Sequence, residues 1–387
     1  MNWEEIISTK VQEVSPSGIR KFFDLVSGVD DVISLGVGEP DFVTPWHIRE
    51  SAFYSLEQGA TMYTSNYGLL ELRKEIVNYL AQEHNLSYNP KEEVLVTVGV
   101  SEALDLALRT LLSKGDELLL PEPSYVSYEP AARLAEGDVV RVQTSREDEF
   151  KLTADNLKEA ITPRSKLLVL CYPNNPTGAT MDYDDLLEIA EVVKEHDLIV
   201  LADEIYSDLT YDGEHTSFAS LPGMKERTIV FNGFSKAYAM TGWRIGYAVA
   251  PKPVIKSMMK IHQYTMLCAP IMGQKAALEA LKNGNQEKKK MIKAYNQRRR
   301  VIVKGLNDIG LDCFKPHGSF YVFPSIQSTG LSSEEFSERL LQEEGVVVIP
   351  GNVFGESGEG FIRCSYAASL DNIYEALNRI DNFVKQI

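Results

Sequence analysis

Short apolar runs alternate with longer amphipathic stretches through the middle of the chain. Residues 93–98, 117–120, 165–171, 198–202, 228–231 and 244–250 are runs of strand length. Residues 101–112 and 183–195 carry the three-to-four spacing of helices with one buried face. A turn is expected at Pro121-Glu122-Pro123, where two prolines limit the backbone. Strands that are apolar throughout are covered on both faces, so this alternation predicts an α/β fold with a mainly parallel sheet between helices. In such sheets ligands gather beyond the carboxyl ends of the strands. The residues that follow each run are therefore where chemistry is expected.

The last third of the chain reads differently. A helical pattern spans 274–306 and breaks at Asn283-Gly284-Asn285. Short runs follow at 318–323, 346–349 and 361–366, with helices at 334–343 and from Leu370 onward. This order predicts a smaller α+β domain from 286–387. Residues 1–45, apolar without strand alternation, are expected to pack with it, leaving 46–285 as the large domain. No internal repeat or low-complexity linker separates the two.

Composition narrows the function without naming it. A chain of 387 residues with 44% hydrophobic and 24% charged positions is an ordinary globular protein, long enough to need no disulfide or metal staple. A net charge of −16 disfavours nucleic acid or an anionic membrane as partner. The basic cluster Lys288 to Lys290 and Arg298 to Arg300 is expected to be a solvated helix face. Four cysteines are scattered without metal-ligand spacing, and the six histidines are expected to be structural. No metal is expected. The amino terminus has no basic start followed by an apolar run, and no stretch approaches the ~18–20 apolar residues that cross a bilayer. A cytoplasmic protein is the expectation.

Three segments after predicted strands stand out. In Cys171-Tyr172-Pro173-Asn174-Asn175-Pro176-Thr177-Gly178, the prolines and glycine freeze a loop and present Asn175 with little freedom. Alone, this is also a plain turn. Asp203, in Leu201-Ala202-Asp203-Glu204-Ile205-Tyr206, ends a buried strand, where a carboxylate needs a cation or several donors. A helix cap is the alternative. Lys236 lies within the apolar and aromatic stretch from Phe231 to Tyr247. Desolvation there lowers a lysine pKa and exposes a nucleophilic amine, as Schiff-base chemistry requires. A snorkelling lysine is the competing account.

Together, Asn-Pro-x-Gly, Asp-x-x-Tyr and Ser-Lys with Arg244 eight residues on resemble the fold-type-I pyridoxal-phosphate enzymes. Within these the chain is similar to the class I/II aminotransferases, in the branch of aromatic and broad-specificity bacterial and archaeal enzymes. The resemblance runs from Ser17-Gly18-Ile19-Arg20 to Arg363-Cys364-Ser365-Tyr366 and includes Gly38-Glu39-Pro40-Asp41-Phe42. It implies a seven-stranded, mainly parallel sheet and pyridoxal 5′-phosphate held on Lys236 as a Schiff base, with Lys236 then moving the substrate's α-proton. Asp203 would keep the pyridine nitrogen protonated, and Asn175 and Tyr206 would donate to the ring oxygen. Arg244 and the backbone amides of Gly99, Val100 and Ser101 would hold the phosphate. Tyr125 would stack on the ring, and Tyr63 would reach the phosphate of a second subunit, which implies a homodimer. Arg363 would take the substrate α-carboxylate, helped by Gly38 and Asn175.

Two departures bear on specificity. Gly233 stands where the family often has a phosphate-binding serine, and Ser101 stands where some aspartate-specific relatives have a lysine. With Gly18, Ile19, Tyr125 and Tyr264 at the expected entrance, an aromatic or large neutral amino acid donor is implied, with 2-oxoglutarate as acceptor. A carbon–sulfur β-lyase on the same scaffold is the nearest alternative. A regulatory protein that binds the cofactor is a more distant one.

Overall fold

The computed structural model describes residues 1–19 and 31–387, so Arg20 of the Ser17 motif lies outside the described residues. Its strands are β1 (Ile33–Ser34), β2 (Val94–Thr97), β3 (Glu117–Glu122), β4 (Asp138–Gln143), β5 (Ser165–Cys171), β6 (Ile199–Asp203), β7 (Thr228–Gly233), β8 (Gly246–Val249), β9 (Tyr321–Val322), β10 (Val346–Val347), β11 (Ile349–Pro350) and β12 (Ile362–Ser365). Seven of them form one sheet in the order β2-β8-β7-β6-β5-β3-β4. Only β8 runs antiparallel to its neighbours. The fold class is the expected α/β one.

The apolar strands explain the sandwich. Along β5, Leu168 and Leu170 enter one core while Leu167, Val169 and Cys171 enter the other. Neither side chain set can face water, because successive residues of a strand point to opposite faces. The helix Tyr183–Glu195 is fixed at its start by a capping box between Asp182 and Asp185. The long pattern in the last third divides as expected at Gly284, into helices Ile271–Asn283 and Asn285–Ile309. A third core, built on Tyr295, Ile302, Phe336, Ile362 and Phe383, fills the space under β9, β11 and β12.

Several expectations are corrected. The strand β4 was not anticipated, since its mixed residues Asp138-Val139-Val140-Arg141 belong to a partly exposed sheet edge rather than an apolar centre. The turn expected at Pro121 to Pro123 begins later, because β3 continues to Glu122 along β4. Pro121 lies past Leu119, the last β3 residue paired with β5, so its missing N–H breaks no ladder on that side. Residues 346–349 form two short strands in different sheets. The strand expected over 244–250 shortens to β8, because Arg244 takes a left-handed φ of 55°.

The basic cluster divides: Lys289, Lys290 and Arg300 are exposed, as expected of a solvated face, whereas Lys288, Arg298 and Arg299 turn inward. Arg299 is fully buried, with Nη1 donating to Asp212 and to the Pro316 carbonyl. Arg298 grips both oxygens of Asp41, at 2.7 and 2.9 Å. Lys288 is buried against Asp208. An acidic partner compensates each buried cation, which is what allows them inside. The amino-terminal part divides: β1 pairs with β10, whereas the helix Thr9–Gln12 lies on the helix Tyr128–Leu134 through a Lys10–Glu136 ion pair.

Candidate active site

The carboxyl ends of β5, β6 and β7 converge on a cavity of about 550 Å³. Asp203 is the last residue of β6, directly beside Cys171 at the end of β5. Lys236 follows β7 by three positions, and Asn175 follows β5 by four. All three line the cavity, as do Gly38, Val100, Ser101, Tyr125, Tyr206, Arg244, Arg363 and Ile19.

The amine of Lys236 donates to the Gly38 carbonyl at 2.6 Å and stands 5.5–5.6 Å from the rings of Phe320 and Tyr206. Burial, reinforced by the Arg363 cation, lowers its pKa to about 8. It is therefore an accessible nucleophile in mildly alkaline solution. Burial raises the Asp203 carboxyl to about 6, against hydrogen bonds from the Tyr128 hydroxyl at 2.8 Å and the Ile205 N–H at 3.2 Å. A buried carboxylate with only neutral donors is poised to welcome a cation.

Arg363 reaches the cavity from β12. Its Nη1 donates to Asn175 Oδ1 at 2.9 Å and its Nη2 to the Gly36 carbonyl at 2.7 Å. With Oδ1 so engaged, Asn175 has its amide N–H groups to offer a ligand. The Arg363 Nε is buried and has no acceptor among the described residues. A carboxylate ligand would satisfy such a donor. The Tyr321 ring lies 4.5 Å from this guanidinium, and the Tyr321 and Tyr206 hydroxyls are 3.0 Å apart.

Gly99 opens the helix Gly99–Leu111 with φ +75°, and a Cβ placed there would come within 2.4 Å of Arg244 Nη2. A side chain would fill the space that brings a guanidinium against a helix start. Glu102 steadies that start, accepting the Val98 N–H and the His262 Nδ1 contact, each at 2.6 Å. Free amides and a nearby arginine make a site for a phosphate dianion. With an amine for the aldehyde, a carboxylate for the ring nitrogen and this cradle, the residues present fit pyridoxal phosphate.

Three expected residues lie elsewhere in the single chain. Tyr63 is 81% exposed and Tyr264 87% exposed, and neither lines the cavity. Gly18 packs on Val353 beside an adjoining cleft that shares Tyr125. Conversely, Tyr128 and Tyr321 line the cavity and were not anticipated. The spacing Tyr125-x-x-Tyr128 after a predicted strand was a usable signal for the first. For the second, the short run 318–323 signals a strand and nothing about the site. Only the fold shows that Tyr321 meets Gly38: a Cβ at Gly38 would sit 2.4 Å from the Tyr321 hydroxyl.

Comparison with known proteins bears on what this arrangement does. The family described as aminotransferase class I and II matches residues 30–380. The chain is 55% identical over 378 residues to the putative aminotransferase YugH of Bacillus subtilis, covering 98% of both chains. It is 46% identical over 383 residues to an aspartate aminotransferase of Pyrococcus abyssi, again with 98% of each covered. The crystal structure of an aromatic aminotransferase from Pyrococcus horikoshii superposes with a TM-score of 0.91 at 46% identity, over 94% of this chain and 99% of that one. The family pattern spans residues 30–380, and these relatives match the chain nearly from end to end, so the chain belongs to the class I and II aminotransferases.

Proposed function

We propose that this aminotransferase takes aromatic or large neutral amino acids as donors and 2-oxoglutarate as acceptor. Dependence on pyridoxal phosphate and transfer between an amino acid and a 2-oxo acid come with the family. The bound cofactor supplies an aldehyde for the amino group and a cationic ring that draws electrons when the α-proton leaves. In this reading Lys236 Nζ holds the cofactor and then moves the α-proton. Asp203 keeps a proton on the ring nitrogen, while Asn175 and Tyr206 donate to the ring oxygen. Tyr125 covers one ring face. Arg244 and the amides of Gly99, Val100 and Ser101 bind phosphate. Arg363 orients the α-carboxylate beside Gly38.

One observation carries the substrate class. Among the described residues of the cavity the cations are Lys236, Arg244 and Arg363, and each has a task above. None is dedicated to a side-chain carboxylate, so the distal carboxylate of 2-oxoglutarate would meet only neutral donors such as the Ser101 and Ser127 hydroxyls, while Ile19, Leu104 and Tyr125 supply apolar wall. The printed names of the relatives include both aspartate and aromatic enzymes. The test is kcat/KM for phenylalanine against aspartate, with 2-oxoglutarate as acceptor. The unaltered enzyme should favour phenylalanine. Ser101→Lys should lower that ratio by roughly tenfold or more, since a lysine there would pair with the aspartate side chain but stand unpaired once a bound aromatic ring covers it, a difference of about 1–3 kcal/mol. A wide preference for aspartate in the unaltered enzyme would sink the substrate reading and leave the transaminase intact.

The assembly belongs to the same proposal. Tyr63 would serve the phosphate site of a second copy in a homodimer. Its exposure supports this, as does that of Phe53, Tyr54, Met62 and Tyr264. Exposed apolar groups of this size favour an interface. Sedimentation should report twice the 43.3 kDa of one chain; a monomer that retains full activity would remove the role given to Tyr63. We also assign 46–285 to a large domain and 1–45 with 286–387 to a small one; the pairing of β1 with β10 supports joining the amino-terminal part to the carboxyl-terminal one. No helix of the described residues is long and apolar enough to cross a membrane. The cytoplasm is our proposed location, supported by the buried free thiols of Cys171, Cys313 and Cys364, which suit a reducing compartment.

A further inference from the structure

We propose that Tyr128 is a positioning residue for the cofactor ring, acting through Asp203: its hydroxyl holds the carboxylate anionic and correctly turned toward a ring nitrogen. The inference rests on the reading that Asp203 meets that nitrogen. Tyr128 is fully buried, and its O–H donates to Asp203 Oδ2 at 2.8 Å. It sits on the first turn of the helix Tyr128–Leu134, and its ring packs edge-on to Tyr125 at 5.6 Å. The residue expected to cover the ring and the residue that props its carboxylate therefore brace each other.

The chemistry of a phenol suits this task. Burial and the neighbouring Asp203 hold the Tyr128 hydroxyl well above its ordinary pKa, so it remains a neutral donor in any workable buffer. It stabilises the carboxylate without bringing a positive charge that would compete with a protonated ring. The other Asp203 oxygen is held by the Ile205 N–H at 3.2 Å. Two neutral donors thus set the carboxylate plane and leave its negative charge for the ligand. Without the Tyr128 hydroxyl, Asp203 would keep one fixed oxygen and drift further toward its protonated form.

The experiment compares dissociation constants of two cofactors from the full-length protein. One is pyridoxal phosphate and the other its 1-deaza analogue, in which a C–H replaces the ring nitrogen. Tyr128→Phe should weaken pyridoxal phosphate by roughly tenfold or more, as expected when a hydrogen bond to a charged group is lost, and leave the analogue within about twofold. Equal weakening of both would mean that Tyr128 only packs, and no weakening of either would mean that the hydrogen bond does nothing; each overturns the proposal. If Tyr128→Phe does not fold, Tyr128→His decides. An imidazole N–H can still donate, so the preference for pyridoxal phosphate should persist beside a Tyr128→Leu control that loses it. Indifference of Tyr128→His to the ring nitrogen also overturns the proposal. An unaltered enzyme with no preference between the cofactors overturns the Asp203 reading as well, which separates that failure from a failure confined to Tyr128.

Discussion

Lys236→Ala should retain its fold and lose nearly all turnover. Among the described residues the amine makes one hydrogen bond, to the Gly38 carbonyl at the cavity wall, so its removal disturbs little packing. Proton transfer by a positioned group contributes about 10²–10⁴-fold, and loss of the covalent attachment adds to that. The variant should still bind pyridoxal phosphate through Arg244, Asp203 and the helix start. In the unaltered holoenzyme, borohydride reduction should fix the cofactor to one peptide, with Lys236 as the modified residue. The pKa of about 8 adds a pH signature. Below that value the amine is mostly protonated and unreactive, so attachment to the apoenzyme should quicken as pH rises through about 8 and then level off. A label on another lysine would end the assignment.

Asp203→Ala should be nearly as damaging to chemistry and more costly to the fold. Exchange of the substrate α-proton should fall by roughly 10³-fold or more, about 4 kcal/mol in the barrier, because the ring then loses the anion that keeps it charged. The substitution also strips the Tyr128 hydroxyl and Ile205 N–H of their acceptor. A buried donor without a partner costs about 1–3 kcal/mol, so the melting temperature should drop while circular dichroism at low temperature stays native-like. Proton exchange at the original rate in a folded variant would show that another group serves the ring nitrogen.

The two variants differ in a useful way. Lys236 contributes chemistry and little stability, whereas Asp203 joins a buried network whose cost the native state already carries. Burial raises the Asp203 carboxyl to about 6, so in the apoenzyme this group gives stability at low pH and withdraws it as pH rises through about 6. A cationic ring at the same place would reverse that penalty. The holoenzyme should therefore gain most over the apoenzyme above that pH.

The strands and helices of the sheet were legible because their signal is local. Continuous apolar runs such as Ser165–Cys171 have no face for water, and the helix Tyr183–Glu195 carries its own periodicity and cap. Lys236, Asp203 and Asn175 could be singled out for the same reason, since each follows such a run in the sequence. The sequence alone thus determined the fold class, the family resemblance and the residues placed at strand ends. Tertiary structure alone decided which groups meet. Arg363 finds Gly36 across 327 residues, Tyr128 finds Asp203 across 75, and Tyr321 reaches Tyr206 across 115. Arg298 and Arg299 read as surface charge until Asp41 and Asp212 are brought beside them. Periodicity records whether a side chain faces the core. It carries no information about which distant partner waits there, because that depends on how sheets and helices stack, and a buried polar group is stable only once that partner is in place.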